Sequence, residues 1–133
     1  MKPITRALRL APLTLLAACA SQPSGTLLVQ QQEDCPLQLA RDQVLVLTLP
    51  SDPTSGYRWE MREGAANVLH SLGPEVYAAG DDDDGLVGGG GHSTWRFKAA
   101  EAGEGHLMLI SRRPWETGVA PADMFDCRVE VRP

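Results

Sequence analysis

Short apolar runs recur along this chain, and turn-forming residues separate most of them. Residues 26–32 (Thr-Leu-Leu-Val-Gln-Gln-Gln) form the first, and Leu37-Gln38-Leu39 alternates behind them. Residues 44–49 are continuously apolar but for Thr48, rich in β-formers, and closed by Pro50. Tyr57-Arg58-Trp59-Glu60-Met61 alternates with period two, which predicts Tyr57, Trp59 and Met61 facing inward and the charges outward. Residues 68–72 and 75–78 are weaker strands split by Gly73-Pro74; residues 94–98, 106–111 and 124–132 complete the series. Helical periodicity is nearly absent. The one candidate, 60–69, contains Gly64 and lacks a sustained 3.6-residue repeat. Seven or eight short strands with Gly/Pro turns define an all-β domain, a sandwich or a barrel.

The first 18 residues stand apart from this pattern. Lys2, Arg6 and Arg9 precede an apolar run, and Leu16-Ala17-Ala18-Cys19 follows. A basic segment, a short apolar segment and small residues at the cut describe a secretory signal, and the run is too short to span a bilayer. The last four of these residues resemble a bacterial lipobox, in which Cys19 is lipidated and becomes the first mature residue; the alternative is a plain cleavage site. Ala20 after Cys19 resembles Gram-negative lipoproteins sorted to the outer membrane, facing periplasm or cell surface. Residues 19–26 are expected to form a small polar tether and 27–133 one folded domain, the size a single core supports.

With Cys19 lipidated, Cys35 and Cys127 remain as a pair. In an oxidising compartment they are expected to form a disulfide joining the first strands to the last, with two buried thiols as the alternative. The signal holds three of the 12 basic residues, so the remainder carries nine against 17 acidic ones, a net charge of −8. That balance argues against a nucleic-acid partner, which requires a basic face.

Three inter-strand segments carry the candidate function. In Asp52-Pro53-Thr54-Ser55-Gly56-Tyr57, Pro53 fixes its own φ and extends Asp52, Gly56 permits positive φ, and Asp52 can close an Asx-turn on the backbone two residues on. Residues 88–91 are four glycines, including Gly88, Gly90 and Gly91, and offer only backbone; no Gly-Lys-Ser/Thr follows, so they do not form a phosphate loop. Arg113-Pro114-Trp115 places two residue types favoured at interface hot spots on a turn. Taken singly, the three also suit an ordinary turn, a linker and a Trp folded onto the core edge. Enzyme signatures are lacking. His70, His92 and His106 are far apart, no HExxH or GxSxG occurs, and Asp81–Asp84 lacks the spaced ligands of a calcium loop, so no catalytic residue, metal or cofactor is expected.

Together and in this order, the three segments resemble the chagasin-type inhibitors of papain-family cysteine peptidases. That family is marked by an Asn-Pro-Thr-Thr-Gly-Phe/Tyr loop, a Gly-x-Gly-Gly loop and an Arg-Pro-Trp/Phe loop. The likeness covers residues 36–132. It implies an immunoglobulin-like β-sandwich that inhibits reversibly and without covalent chemistry; the chain is expected to act as a monomer. Asp52 to Tyr57 would enter the catalytic cleft with Thr54 nearest the thiol. The glycines and Arg113-Pro114-Trp115 would grip the walls, Arg113 and Trp115 on the primed side and Trp115 against enzyme aromatics. Asp52 replaces the usual Asn, Ser55 the second Thr, and the Cys35/Cys127 pair is not a family hallmark. The competing readings are an envelope lipoprotein that holds a non-peptidase partner, and a small hydrolase of unfamiliar type.

Overall fold

The structure, a computed structural model, describes residues 25–80 and 90–133, with Pro3, Ala11 and Pro12 as isolated positions. Cys19, Asp81–Asp84 and Gly88 lie outside the described residues. Nine strands are described: β1 (Thr26–Val29), β2 (Leu37–Ala40), β3 (Val44–Ser51), β4 (Arg58–Gly64), β5 (Leu69–Ser71), β6 (Val76–Ala79), β7 (Gly91–Ala99), β8 (Gly103–Arg112) and β9 (Asp123–Arg132). The count exceeds the expected seven or eight because both weak segments around Gly73-Pro74 pair with β7. The first run is shorter than its sequence suggests: the strand stops at Val29, and residues Gln32–Asp34 turn as a 3-10 helix.

The strands make two sheets. One has the order β1-β3-β7, with β5 and β6 both on the far edge of β7; the other has the order β2-β9-β8-β4. Two parallel pairings, β1 with β3 and β2 with β9, bring the start of the domain onto its middle and its end. Strict alternation fills the space between the sheets. Leu45, Leu47 and Leu49 of β3 and Ser93, Trp95, Phe97 and Ala99 of β7 point in from one sheet. Phe125, Cys127, Val129 and Val131 of β9 and Leu107 and Leu109 of β8 point in from the other. The apolar run 44–49 is thus half core: Val44, Val46 and Thr48 face the outer surface and are only partly buried.

Trp59 and Trp95, one from each sheet, meet edge to face at 6.4 Å between ring centroids. Such a pair contributes about 0.5–1.5 kcal/mol beyond area burial. The Trp59 indole N–H donates to the Pro50 carbonyl at 2.8 Å, so the ring is buried with its polar atom satisfied. Met61 shares the face of Trp59, since the two pair with the inward Leu109 and Ser111, but β4 is the edge strand and Met61 is left 42% exposed; the pairing with β8 slips only after it, at a bulge between Met61 and Glu63. The Cys35–Cys127 disulfide is present, with Cα atoms 5.4 Å apart across a sequence separation of 92. By restricting the unfolded chain over that span it stabilises the domain by about 4–5 kcal/mol in the chain-entropy model.

Register places the loops. Ser51 at the end of β3 pairs with Gly91 at the start of β7, Arg58 at the start of β4 with Arg112 at the end of β8, and Ser111 with Asp123 at the start of β9. All three junctions therefore lie at one pole of the sandwich. Thr26 pairs with Val44 and Ala40 with Arg132 at the other pole, where β1 begins and β9 ends.

Candidate functional site

The first loop is a single turn of 3-10 helix, Pro53–Ser55, between two extended strands. Ser55 N–H donates to Asp52 O (3.2 Å) and Gly56 N–H to Pro53 O (3.0 Å). Gly56 closes the turn at φ 86° in the left-handed region, which glycine adopts without steric cost. The Asx-turn expected of Asp52 does not form: its carboxylate accepts the Thr54 hydroxyl at 2.6 Å instead of a backbone N–H. The turn's backbone bonds use the Ser55 and Gly56 N–H groups, and the carboxylate is engaged by the Thr54 hydroxyl, a local side-chain bond that competes with the Asx-turn. The Ser55 hydroxyl donates to Asp52 O (2.6 Å), and the Arg58 guanidinium to Pro53 O (2.9 Å) and Tyr57 O (3.1 Å). Thr54 is the exposed tip of the turn, while Asp52, Pro53, Ser55, Gly56 and Tyr57 are partly buried.

The third loop turns at Pro114-Trp115, with Glu116 N–H on Arg113 O (3.1 Å) and Arg112 donating to Pro114 O (3.0 Å). Arg113 reaches across to the first loop. Its Nε donates to Ser55 O at 3.0 Å, its guanidinium lies 4.5 Å over the Tyr57 ring, and Nη1 pairs with Glu116 at 3.2 Å. The Cη2 tip of the Trp115 ring abuts Gly56, where an added Cβ would also meet Cζ2 at 3.0 Å and Cζ3 at 3.2 Å. Trp115 is nonetheless 68% exposed. It packs on a loop and not on the core edge.

The glycine segment is visible at Gly90 and Gly91. Gly91 is buried within β7 beneath the Tyr77 ring, whose hydroxyl would lie 2.8 Å from an added Cβ. Gly90 is exposed, and its carbonyl accepts the Gly80 N–H at 3.3 Å. Between the first loop and the glycines opens a cleft of about 430 Å³, lined by Pro50, Asp52, Tyr57, Gly90, Gly91 and Ser111. Of the predicted residues the structure therefore gathers Asp52–Tyr57, Gly90, Gly91 and Arg113–Trp115 at one pole. Sequence reasoning missed Arg58, Tyr77 and Glu116, which support these loops. Their signal is weak, because each is an ordinary strand or turn residue until its partner is known.

His106 lies elsewhere, on the outer face of the β2-β9-β8-β4 sheet between Asp126 and Glu63. Its pKa is raised from 6.5, first by the Asp126 hydrogen bond and then by Glu63. Among the described residues no group of three His, Cys, Asp or Glu side chains is placed to hold a metal ion.

The architecture is a two-sheet sandwich whose first and third loops interlock at one pole, with Gly90 and Gly91 beside the first. Residues 38–129 match the chagasin family peptidase inhibitor I42 family, and the chain belongs to it. It is similar to amoebiasin-1 of Entamoeba histolytica, 28% identical over 90 residues that cover 66% of this chain and 82% of the relative. In fold it resembles the crystal structure of EhICP2, a cysteine protease inhibitor from Entamoeba histolytica (TM-score 0.71, 21% identity, 80% of this chain and 96% of that one). It also resembles the solution structure of amebosin (TM-score 0.60, 23% identity, covering 79% and 96%). A third likeness is to PbICP-C, solved in complex with falcipain-2 (TM-score 0.51, 15% identity, covering 81% and 90%).

Proposed function

We propose that this protein is a reversible, non-covalent inhibitor of papain-like cysteine peptidases that plugs the catalytic cleft with its three-loop pole. Family membership and the complex of PbICP-C with falcipain-2 support the target class. The observation that carries the mechanism is the state of the first loop's carbonyls. Those of Asp52, Pro53 and Ser55 already accept hydrogen bonds from Ser55, Arg58 and Arg113. A scissile carbonyl must be free to enter an oxyanion hole in the transition state. The loop is coiled as a 3-10 turn with these three carbonyls already engaged, so it fills the cleft and is a poor substrate. Thr54 leads, the glycine backbone allows close approach, and the free face of Trp115 meets apolar or aromatic residues of the peptidase. An interface of ~800 Å² per partner is enough for nanomolar binding, about −12 kcal/mol.

The N-terminal segment extends the proposal. Lipid on Cys19 anchors the protein in the envelope, at the outer membrane, with residues 19–26 as the tether. β1 begins at the pole opposite the loops, which supports this reading, because an anchor there leaves the loops free. The functional unit is a monomer, with no nucleic-acid partner and no cofactor.

The deciding experiment is titration of papain with the purified protein. The expected result is stoichiometric inhibition that reverses on dilution, with the inhibitor uncleaved by mass spectrometry. A Thr54→Glu/Trp115→Ala variant leaves papain active. Equal potency of variant and wild type, or full papain activity with excess wild type, refutes the mechanism. For the anchor, Cys19→Ala is expected to abolish fatty-acid labelling and release the protein from membranes.

A further inference from the structure

We infer that Arg113 is a positioning residue that locks the first and third loops into one rigid wedge, and that it acts on binding through loop order and not through its charge. The inference rests on the inhibitory reading of this pole and concerns how the site is held.

Its sequence context suggests the opposite role, since an arginine on an exposed turn beside Trp looks like a contact residue. The geometry commits the side chain elsewhere. Three consecutive residues of the first loop are held from the third. Arg113 Nε takes the Ser55 carbonyl, Trp115 covers Gly56, and the Arg113 guanidinium stacks on Tyr57. Nη1 is paired with Glu116, so the charge is compensated within its own loop. Arg113 itself is only partly exposed, whereas Pro114 and Trp115 are exposed. A planar guanidinium can stack and donate in its plane at once; a lysine ammonium cannot reproduce both. Arg58 and Arg112 repeat the device, each donating to a loop carbonyl, Pro53 and Pro114 respectively. All three arginines at this pole thus serve the loops. A pre-ordered loop loses less entropy on docking, and molecules with unlocked loops reduce the apparent affinity by the fraction that is competent.

The test compares Arg113→Lys and Arg113→Met with wild type in three measurements: papain inhibition at low and high salt, thermal melting, and the Gly56 Hα resonances of the free protein, which the ring current of the abutting Trp115 shifts. A clamp predicts that both variants lose at least ten-fold in inhibition, chiefly in association rate. The loss should not depend on salt, and the Gly56 shift should collapse in both while melting changes little. It also predicts that Tyr57→Leu added to Arg113→Met costs less than the two single changes summed. If Arg113→Lys instead inhibits like wild type and Arg113→Met weakens it only at low salt, with Gly56 unmoved, Arg113 is a charge contact and the inference is wrong. Should Arg113→Met fail to fold, Tyr57→Leu, which keeps Arg113 but removes its platform, must shift Gly56 in the same way. If wild type fails to inhibit any papain-like peptidase, the functional reading falls, and the Gly56 resonances of the free protein still decide whether the clamp exists.

Discussion

Trp115 sets the Cη2 edge of its indole against the bare backbone of Gly56, so a residue of the third loop closes on a turn formed 59 positions earlier. Gly56 is constrained twice: its φ of 86° favours glycine, and the ring leaves no room for a methyl group. Gly56→Ala is therefore expected to cost about 1–2 kcal/mol for the left-handed backbone alone, and to displace Trp115. Thermal melting and Trp fluorescence of the variant check the structural part. Papain inhibition, expected to weaken at least ten-fold, checks the functional part.

Trp115→Ala separates stability from binding. The ring is 68% exposed, so its removal should change stability by no more than about 1 kcal/mol, in the range of surface substitutions. A central aromatic anchor typically contributes about 2 kcal/mol or more to an interface, so inhibition should weaken by ~30-fold. Parallel melting and inhibition curves test this. A large loss of melting temperature with unchanged inhibition would make Trp115 a packing residue.

The sequence makes the strands and the turns legible for a physical reason: alternation and Gly/Pro punctuation are local, and each is dictated by the residue that carries it. Positive φ at Gly56 follows from the turn it closes. The exposure of Met61 was not legible, because it follows from β4 lying at the edge of its sheet, which only the pairing order decides. Nor was the role of Arg113, whose partner Ser55 lies 58 residues away. The cover on Gly91 is similar: Tyr77 belongs to a weak exposed strand whose only described pairing is to β7. Contacts made between loops depend on where the sheets bring them, and no local pattern encodes that.

The disulfide should govern resistance to heat more than it governs shape. Cys35 and Cys127 tie the segment before β2 to the middle of β9, and β2 pairs in parallel with β9 beyond the tie. Reduction, or Cys127→Ala, is expected to lower stability by about 2–5 kcal/mol. Denaturant unfolding with and without reductant measures this. Identical midpoints would show that β2–β9 pairing alone confines that end of the chain.

His106 gives the domain a pH dependence of predictable sign. Asp126 and Glu63 flank its ring from β9 and β4, and Arg128 pairs opposite it across the β8–β9 ladder. The carboxylates raise its pKa above 6.5 in the folded protein. A raised folded-state pKa means that the stabilisation is fully present below the unfolded value and is lost as pH rises through the folded one. Melting temperatures of wild type and His106→Gln should differ most between pH 5 and the unfolded pKa of about 6.5, and converge above the raised value. A difference that grows with pH would contradict the assignment.

Two neighbouring hydroxyls on β7 make opposite predictions. Ser93 points into the core with no exposed surface, and its Oγ has no hydrogen-bond partner among the described residues. Thr94 faces the other side of the same sheet and shares a hydrogen bond with Thr48 at 3.2 Å. A buried, unpaired hydroxyl costs about 1–3 kcal/mol, whereas a typical hydrogen bond contributes about 0.5–1.5 kcal/mol. Ser93→Ala keeps the Cβ and removes only the unpaired oxygen, so it should raise stability. Thr94→Ala removes one partner of a pair and should lower it. Denaturant midpoints at constant m-value read both signs in one experiment. If Ser93→Ala destabilises the domain, its hydroxyl has a partner in solution, and the core of this sandwich at the loop pole is wetter than its alternation implies.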